Sequence, residues 1–320
     1  MFLRRFAIFL LLLVAVVAIG ACNSDDDNDS NDSSSNNASE NSQSQDEVVL
    51  TGEPVRVGIL SKRSAVVVNQ QWGALMSAME QETGRPFELV PLGFDDILSQ
   101  INQGNLDFAF GNPLAMTQAR RLSGIEFLAT LSYPDTGAEF GGIILVRSDS
   151  GITSLDDLRG KSGACVAFET SAGGCIFQLY HLAQHDIDPF TDFSEFIETG
   201  SQDNVVLAVL NNTVDVGFAR TGQLETMESD GSLDTSDIDE LTILAETQSY
   251  PEWAFAALPD TDPDLVQTVQ NTLLTMPAGS PAFQAAGVAQ FIPAVDYSSI
   301  DVLIETLKLP SWDAETAAVQ

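Results

Sequence analysis

FDDILSQINQGNLDFAFGNP, residues 94–113, lies over QDNVVLAVLNNTVDVGFART, residues 202–221, without a gap and at an offset of 108. Asp95 matches Asp203, Asp107 matches Asp215, and Phe110 matches Phe218. Apolar positions 97, 98, 101, 106 and 108 match 205, 206, 209, 214 and 216. Each copy reads as a helix, a turn, a short apolar strand and a polar loop that opens another helix. Upstream, VRVGILSKRS (55–64) echoes ACVAFETSAG (164–173), again a strand running into a polar loop. All buried β-α-β units share an apolar pattern, so the matched aspartates and turns are what favour two similar lobes.

Working outward, strands are expected near 55–60, 87–92, 106–110, 125–131, 140–147, 164–168, 194–198, 214–219, 241–245 and 253–257. Helices are expected over 68–83, with Trp72, Leu75, Met76 and Met79 on one face, and over 94–103. Pro113 opens a third, at the position that tolerates proline. Further helices are expected over 172–185, 202–211, 221–230, 262–276, 280–287 and 297–307. Ser154-Leu155-Asp156-Asp157 reads as a capping box before a short helix. This alternation gives an α/β fold of parallel β-α-β units with right-handed crossovers.

In such folds ligands bind where strands end and helices begin. Four loops qualify: Ser61-Lys62-Arg63-Ser64, Gly111-Asn112-Pro113, Glu169-Thr170-Ser171-Ala172-Gly173-Gly174 and Arg220-Thr221-Gly222. Helix starts carry unpaired N–H groups and partial positive charge. Ser, Thr and Asn also cap those groups, so each loop alone reads as a cap. Four of them at equivalent ends of two lobes point to an anion site. Lys62, Arg63 and Arg220 add weight because bases are scarce. The structural alternative for Arg220 is an ion pair with an acid such as Glu225.

The 320 residues are 44% hydrophobic, enough for two cored lobes, and 46 acids against 13 bases give a net charge of −33. Only Lys62, Lys161 and Lys308 are lysines. Nucleic-acid binding and an anionic-membrane face both need clustered cations, so both are excluded. The acid excess reads as a solvated surface suited to high salt.

Arg4 and Arg5 precede the apolar run 6–19, and Ile19-Gly20-Ala21-Cys22 resembles a bacterial lipobox. The expectation is a lipoprotein signal peptide over 1–21, with Cys22 lipidated after cleavage. Residues 23–47 contain one Ala, no larger apolar residue and eight acids, and read with Cys22 and residue 48 as a disordered acidic tether. The chain beyond residue 47 holds 38 acids and 11 bases, a net of −27. For Cys165 and Cys175, a disulfide and two buried thiols both stand as readings.

No catalytic constellation appears. His181 and His185 are four apart, but no H-E-x-x-H pattern or further His exists, so no metal site is expected. Ser64 and Ser171 lack a positioned base, and no dinucleotide or phosphate-loop fingerprint occurs. Trp72, Trp253 and Trp312 read as packing residues, Trp253 being the one to test as a ligand contact.

From about residue 55 to 312 the chain resembles phosphate/phosphite/phosphonate-type ABC-transporter substrate-binding proteins, near the subset similar to periplasmic sensing domains of histidine kinases. ILSKR…W (59–72), VPLGFDDI…GNLDFAFGNP (90–113), FGGIILVRSDS…LDDLRGK (140–161), ETSAGG…FQ (169–178), DVGFARTGQLE (215–225) and YPEWAFAALP (250–259) carry the likeness. It implies a two-lobed periplasmic-binding-protein-like fold, with mixed sheets, helices on both faces and a ligand cleft between the lobes. Lobe one is expected over 49–141 plus 250–320 and lobe two over 142–249, with crossings near Gly141-Gly142 and 246–251. Thr170, Ser171 and Gly173 fall where phosphonate binders grip the anion. Ser61, Lys62, Arg63, Asn112, Arg220 and Thr221 complete the expected site. Gly174-Cys175 departs from the family's usual aromatic residue, and the run of hydroxyls is shorter. The implied protein is a monomeric, lipid-anchored, extracytoplasmic binder of a small oxyanion. It has no cofactor and serves an ABC permease. A sensory protein signalling to a membrane kinase or cyclase is the alternative, and a hydrolase a remoter one.

Overall fold

The 55–60 run, VRVGIL, is broken only by Arg56 and is buried at every other position, as a strand covered on both faces must be. In the computed structural model, which describes residues 49–61 and 64–308, it is the first of thirteen described strands. In chain order these are β1 (Val55–Leu60), β2 (Phe87–Leu92), β3 (Phe108–Gly111), β4 (Glu126–Ser132), β5 (Glu139–Phe140), β6 (Gly142–Arg147), β7 (Ser162–Cys165), β8 (Glu195–Glu198), β9 (Val216–Arg220), β10 (Leu241–Glu246), β11 (Tyr250–Pro251), β12 (Ala254–Ala257) and β13 (Gln290–Pro293). The signal-peptide and tether readings, Lys62, Arg63 and Trp312 lie outside the described residues.

The strands form a six-stranded sheet, β13-β4-β12-β3-β1-β2, a five-stranded sheet, β10-β6-β9-β7-β8, and a two-stranded ribbon of β5 and β11. Within the first sheet β2, β1 and β3 run parallel, and within the second β8, β7 and β9 do. Beside each parallel set lies one reversed strand: β12 against β3 and β4, β6 against β9 and β10. The all-parallel expectation is therefore corrected to mixed sheets, as the family resemblance implied. Strand β13, antiparallel to β4, is reversed as well; the two beside the parallel sets, β6 and β12, are the ones reached through β5 and β11. They follow a chain crossing, so no helical crossover forces them parallel.

The internal echo has a physical basis. The Asp107 carboxylate accepts from the Arg56 N–H at 2.7 Å and the Asp215 carboxylate from the Ser162 N–H at 2.9 Å. Each matched aspartate ties the start of its third strand to the start of its first. The upstream echo needs a shift. Val57 pairs with Phe108 and Gly163 with Val216, so Val57 and Gly163 are counterparts. VRVGIL thus corresponds to KSGACV (161–166), not to ACVAFE, and Ser64 corresponds to Thr170.

Val68, Trp72, Leu75, Met76 and Met79 form the buried face of helix Ala65–Thr83, as the 3.6 spacing requires. The capping box at Ser154 and Asp157 is present before a 3-10 turn. The single strand expected over 140–147 breaks at Gly141 into β5 and β6. A Cβ on Gly142 would overlap the Gln178 amide, whose nitrogen donates to the carbonyls of Ile143, Gly173 and Ala219. That amide pins β6, β9 and the turn at Gly173 together beside the ribbon. Strand β13 and the short helices Pro189–Asp192 and Thr235–Asp239 were not anticipated. No described helix is long and apolar enough to cross a membrane.

Candidate functional site

Residues from the sides of both sheets line a cleft of about 890 Å³. One wall comes from the first sheet's side: the end of β1 at Leu60, Trp72, Tyr133 to Thr136 after β4, and Trp253. The other comes from Gln202 and Asp203 at a helix start and from Arg220 to Gln223 after β9. A smaller hollow of about 460 Å³ lies between helices Ala65–Thr83 and Pro263–Thr275, away from these strand ends. The cleft is the candidate site because loops of both sheets converge on it.

Arg220 ends β9. Its N–H donates to Gln202 Oε1 at 3.0 Å, and its guanidinium donates to Glu252 Oε1 at 2.9 Å. The Arg220 side chain is 16% exposed, while Glu252 is fully buried. Glu252 Oε2 also accepts from the Trp253 N–H, and the Tyr297 hydroxyl donates to the Glu252 carbonyl. The guanidinium carbon sits 4.7 Å from the Phe140 ring centre and 5.7 Å from that of Tyr133. Burial pulls the Arg220 pKa down, but Glu252 and Tyr133 outweigh it and leave it raised. Burial raises the Tyr133 pKa, against the lowering influence of Arg220. Arg220 is thus ion-paired, with Glu252 rather than Glu225.

Thr221 also borders the cleft; its hydroxyl accepts from the Gly141 N–H at 3.1 Å. The helix after it begins at Gln223, behind left-handed Gly222, rather than at 221.

The other predicted residues gather elsewhere. Asn112 caps its helix through the Ala115 N–H at 3.0 Å, and its amide nitrogen donates to the Thr170 carbonyl at 2.7 Å. The Thr170 hydroxyl donates to the Phe94 carbonyl and the Gln118 amide to the Glu169 carbonyl. Loop 169–170 is therefore docked on the first sheet's side by three uncharged hydrogen bonds. Asn112, Thr170 and Ser171 are buried. Gly173 lets this segment approach the ribbon, since a Cβ there would lie 2.7 Å from the Phe140 ring. Ser61 follows the end of β1 at Leu60, its N–H donating to the Leu92 carbonyl.

Cys165 and Cys175 form a disulfide, with Cα atoms 5.1 Å apart, that brackets loop 166–174. The helix expected over 172–185 opens as a π-helical turn, Ala172–Ile176, before Phe177–Ala183. His181 and His185 lie with ring centres 5.1 Å apart and planes tilted by 52°, and they do not line the cleft. Burial, and then His185, lowers the His181 pKa. Among the described residues no three metal-ligating side chains cluster.

Trp253 was singled out in the sequence; Glu252, Tyr133, Gln202 and Asp203 were not. The available signal was an acid inside YPEWAFAALP: an acid embedded in an apolar strand entry must be paired.

Two matched α/β lobes, joined by paired crossing strands and separated by a lined cleft, define a two-lobed ligand-binding protein of the periplasmic class. Residues 57–298 match the family described as ABC transporter, phosphonate, periplasmic substrate-binding protein, and the chain belongs to that family. It is 28% identical over 70% of its length to the tetrathionate sensor histidine kinase TtrS of Salmonella typhimurium. It is 25% identical over 54% of its length to the phosphonates-binding periplasmic protein of Escherichia coli. The chain spans 40% and 52% of those two relatives. Its fold matches PhnD1 of Prochlorococcus marinus, solved with methylphosphonate, at a TM-score of 0.70 and 16% identity, covering 79% of this chain and 97% of that one.

Proposed function

We propose that the chain captures a small oxyanion, of the phosphate, phosphite or phosphonate kind, in the interlobe cleft and delivers it to an ABC permease. The observation that carries the reading is the cleft itself, where Arg220 and Thr221 face Trp72 and Trp253 from the opposite wall. Residues 49–141 with 250–320 and residues 142–249 act as the two closing lobes, hinged at the ribbon of β5 and β11. Ser61, Lys62, Arg63, Asn112, Thr170, Ser171 and Gly173 complete the gripping loops. The protein binds and releases without turnover. It acts as a monomer, tethered outside the cytoplasm through lipid on Cys22; Cys22→Ser then moves it from membranes to the soluble fraction.

A thermal-shift screen with phosphate, phosphite, methylphosphonate, sulfate and tetrathionate tests the central reading. A ligand at a hundred times its Kd stabilises the folded state by about 2.7 kcal/mol. At about 2–4 °C per kcal/mol, the melting temperature rises by about 5–11 °C. No rise with any member of the panel removes the reading.

The likeness to a tetrathionate sensor kinase favours a second reading, in which the closed form reports to a membrane kinase. Permease and ATPase genes beside this one support transport; a kinase gene supports sensing.

A further inference from the structure

We propose that the two lobes are latched to each other without ligand, and that Asn112, Gln118 and Thr170 set the balance between the closed and the open protein. The inference rests on the two-lobe reading above and adds what holds the lobes together before an anion arrives.

All three residues reach across the lobe boundary. Asn112 caps helix Pro113–Ser123 of lobe one, and Gln118 lies in its second turn. Their amides donate to the carbonyls of Thr170 and Glu169 in lobe two, at 2.7 and 3.1 Å. Thr170 answers from the other side, its hydroxyl donating to the Phe94 carbonyl at 3.1 Å. The Phe94 side chain packs against Val166, Ala167 and Val205 of lobe two, so an apolar contact backs the polar ones. Asn112, Gln118 and Thr170 are each more than nine-tenths buried. Residues 169–174 do not line the cleft. The seam thus joins the lobes through protein groups alone, beside the space left for a ligand rather than through it.

Both sides of the latch are fixed in advance. The Cys165–Cys175 disulfide brackets the accepting loop, and the Phe168 N–H donates to the Glu198 carboxylate at the loop's start. Asn112 commits its Oδ1 to the Ala115 N–H, which turns its amide nitrogen toward Thr170. Water replaces these bonds when the seam parts, so each uncharged bond shifts the balance by only about two- to tenfold. Gln118 Oε1 is buried and accepts no hydrogen bond among the described residues, which weakens the latch further and keeps it reversible.

Asn112→Ser keeps a capping oxygen but is too short to reach Thr170, and Thr170→Val keeps the shape without the donor. Hydrogen exchange is followed on the ligand-free full chain, on both single variants and on the double variant. Exchange that requires the seam to part runs at a rate set by the open fraction. Segments 93–98 and 166–174 should therefore speed up together, by about two- to tenfold in each single variant and about tenfold or more in the double. Spin labels go on exposed Thr136 and Ser229, which line the cleft from opposite lobes, through non-natural residues that spare the disulfide. They should give one short distance in ligand-free wild type and add a longer one in the double variant. The single variants serve where the double does not fold. Three results overturn the inference: a ligand-free wild type found mostly at the longer distance, exchange unchanged in every variant, and faster exchange confined to 166–174, which is the loosening of one loop. Phosphate and methylphosphonate that slow exchange in neither segment of wild type would instead count against the oxyanion reading, and the ligand-free result would stand apart from it.

Discussion

Replacing Arg220 by Ala should strip the only described cation from the buried Glu252 carboxylate. The residue left behind is fully buried and keeps one described donor, the Trp253 N–H. Removing one member of a buried ion pair typically costs about 3–5 kcal/mol, because the survivor stays desolvated and uncompensated. Arg220 is 16% exposed, so water entering its place relieves part of that penalty, and the low end, about 3 kcal/mol, applies. Loss of the guanidinium stacked 4.7 Å from the Phe140 ring acts in the same direction. At about 2–4 °C per kcal/mol, the ligand-free protein should melt about 6–12 °C lower. The double variant Arg220→Ala/Glu252→Gln leaves no stranded charge and should recover at least half of that loss. Differential scanning calorimetry on the three ligand-free proteins measures it. An Arg220→Ala protein melting within about 2 °C of wild type, or a double variant no better than the single, refutes a stabilising pair at this place.

Three further outcomes follow from the same structure. Replacing Cys165 and Cys175 together by Ala opens a ten-residue loop. It should lower stability by about 3 kcal/mol and speed hydrogen exchange around loop 169–171; unchanged exchange there contradicts the bracketing role. With a net charge of −27 beyond residue 47, the melting temperature should rise from low to molar sodium chloride, and a steady fall contradicts this. The Thr153 N–H, with Ser154, holds the Asp157 pKa below 3.8, so its contribution is complete above that value and disappears as pH falls through the lower folded one. Asp157→Asn should therefore destabilise at neutral pH and lose that effect in strong acid; an equal effect at both pH values contradicts it.

The lobes were legible because their signals are local. Asp107 and Asp215 each bond, within their own lobe, to the start of the strand that opens the repeated unit, so the fold repeats the residue wherever it repeats the unit. Trp72 and Met79 announced a helix face by spacing alone. The shifted match of VRVGIL shows where pattern fails: apolar strands look alike, and only pairing with β3 and β9 fixes their register. Strands β6 and β12 looked like their parallel neighbours because strand direction leaves no mark on apolar composition. The site was half legible. Arg220 and Thr221 stood out as scarce or polar groups at a strand end. The partner of Arg220 lay 32 residues on, across the crossing at β11, and no spacing rule reaches it. Asn112 and Thr170 were found by the same strand-end rule but meet each other, because a helix cap can also reach across to a facing loop.

The central claim is capture of a small oxyanion between the lobes, and tryptophan emission reads it most directly. Trp72 and Trp253 both line the cleft, and a Trp312→Phe background removes the third indole of the chain. Titrating that protein with phosphate, phosphite, methylphosphonate, sulfate and tetrathionate should give, for at least one of them, a saturable change with one site per chain. A Trp253→Phe change should diminish the signal. Emission unmoved by all five anions in a protein that melts cooperatively would contradict the account.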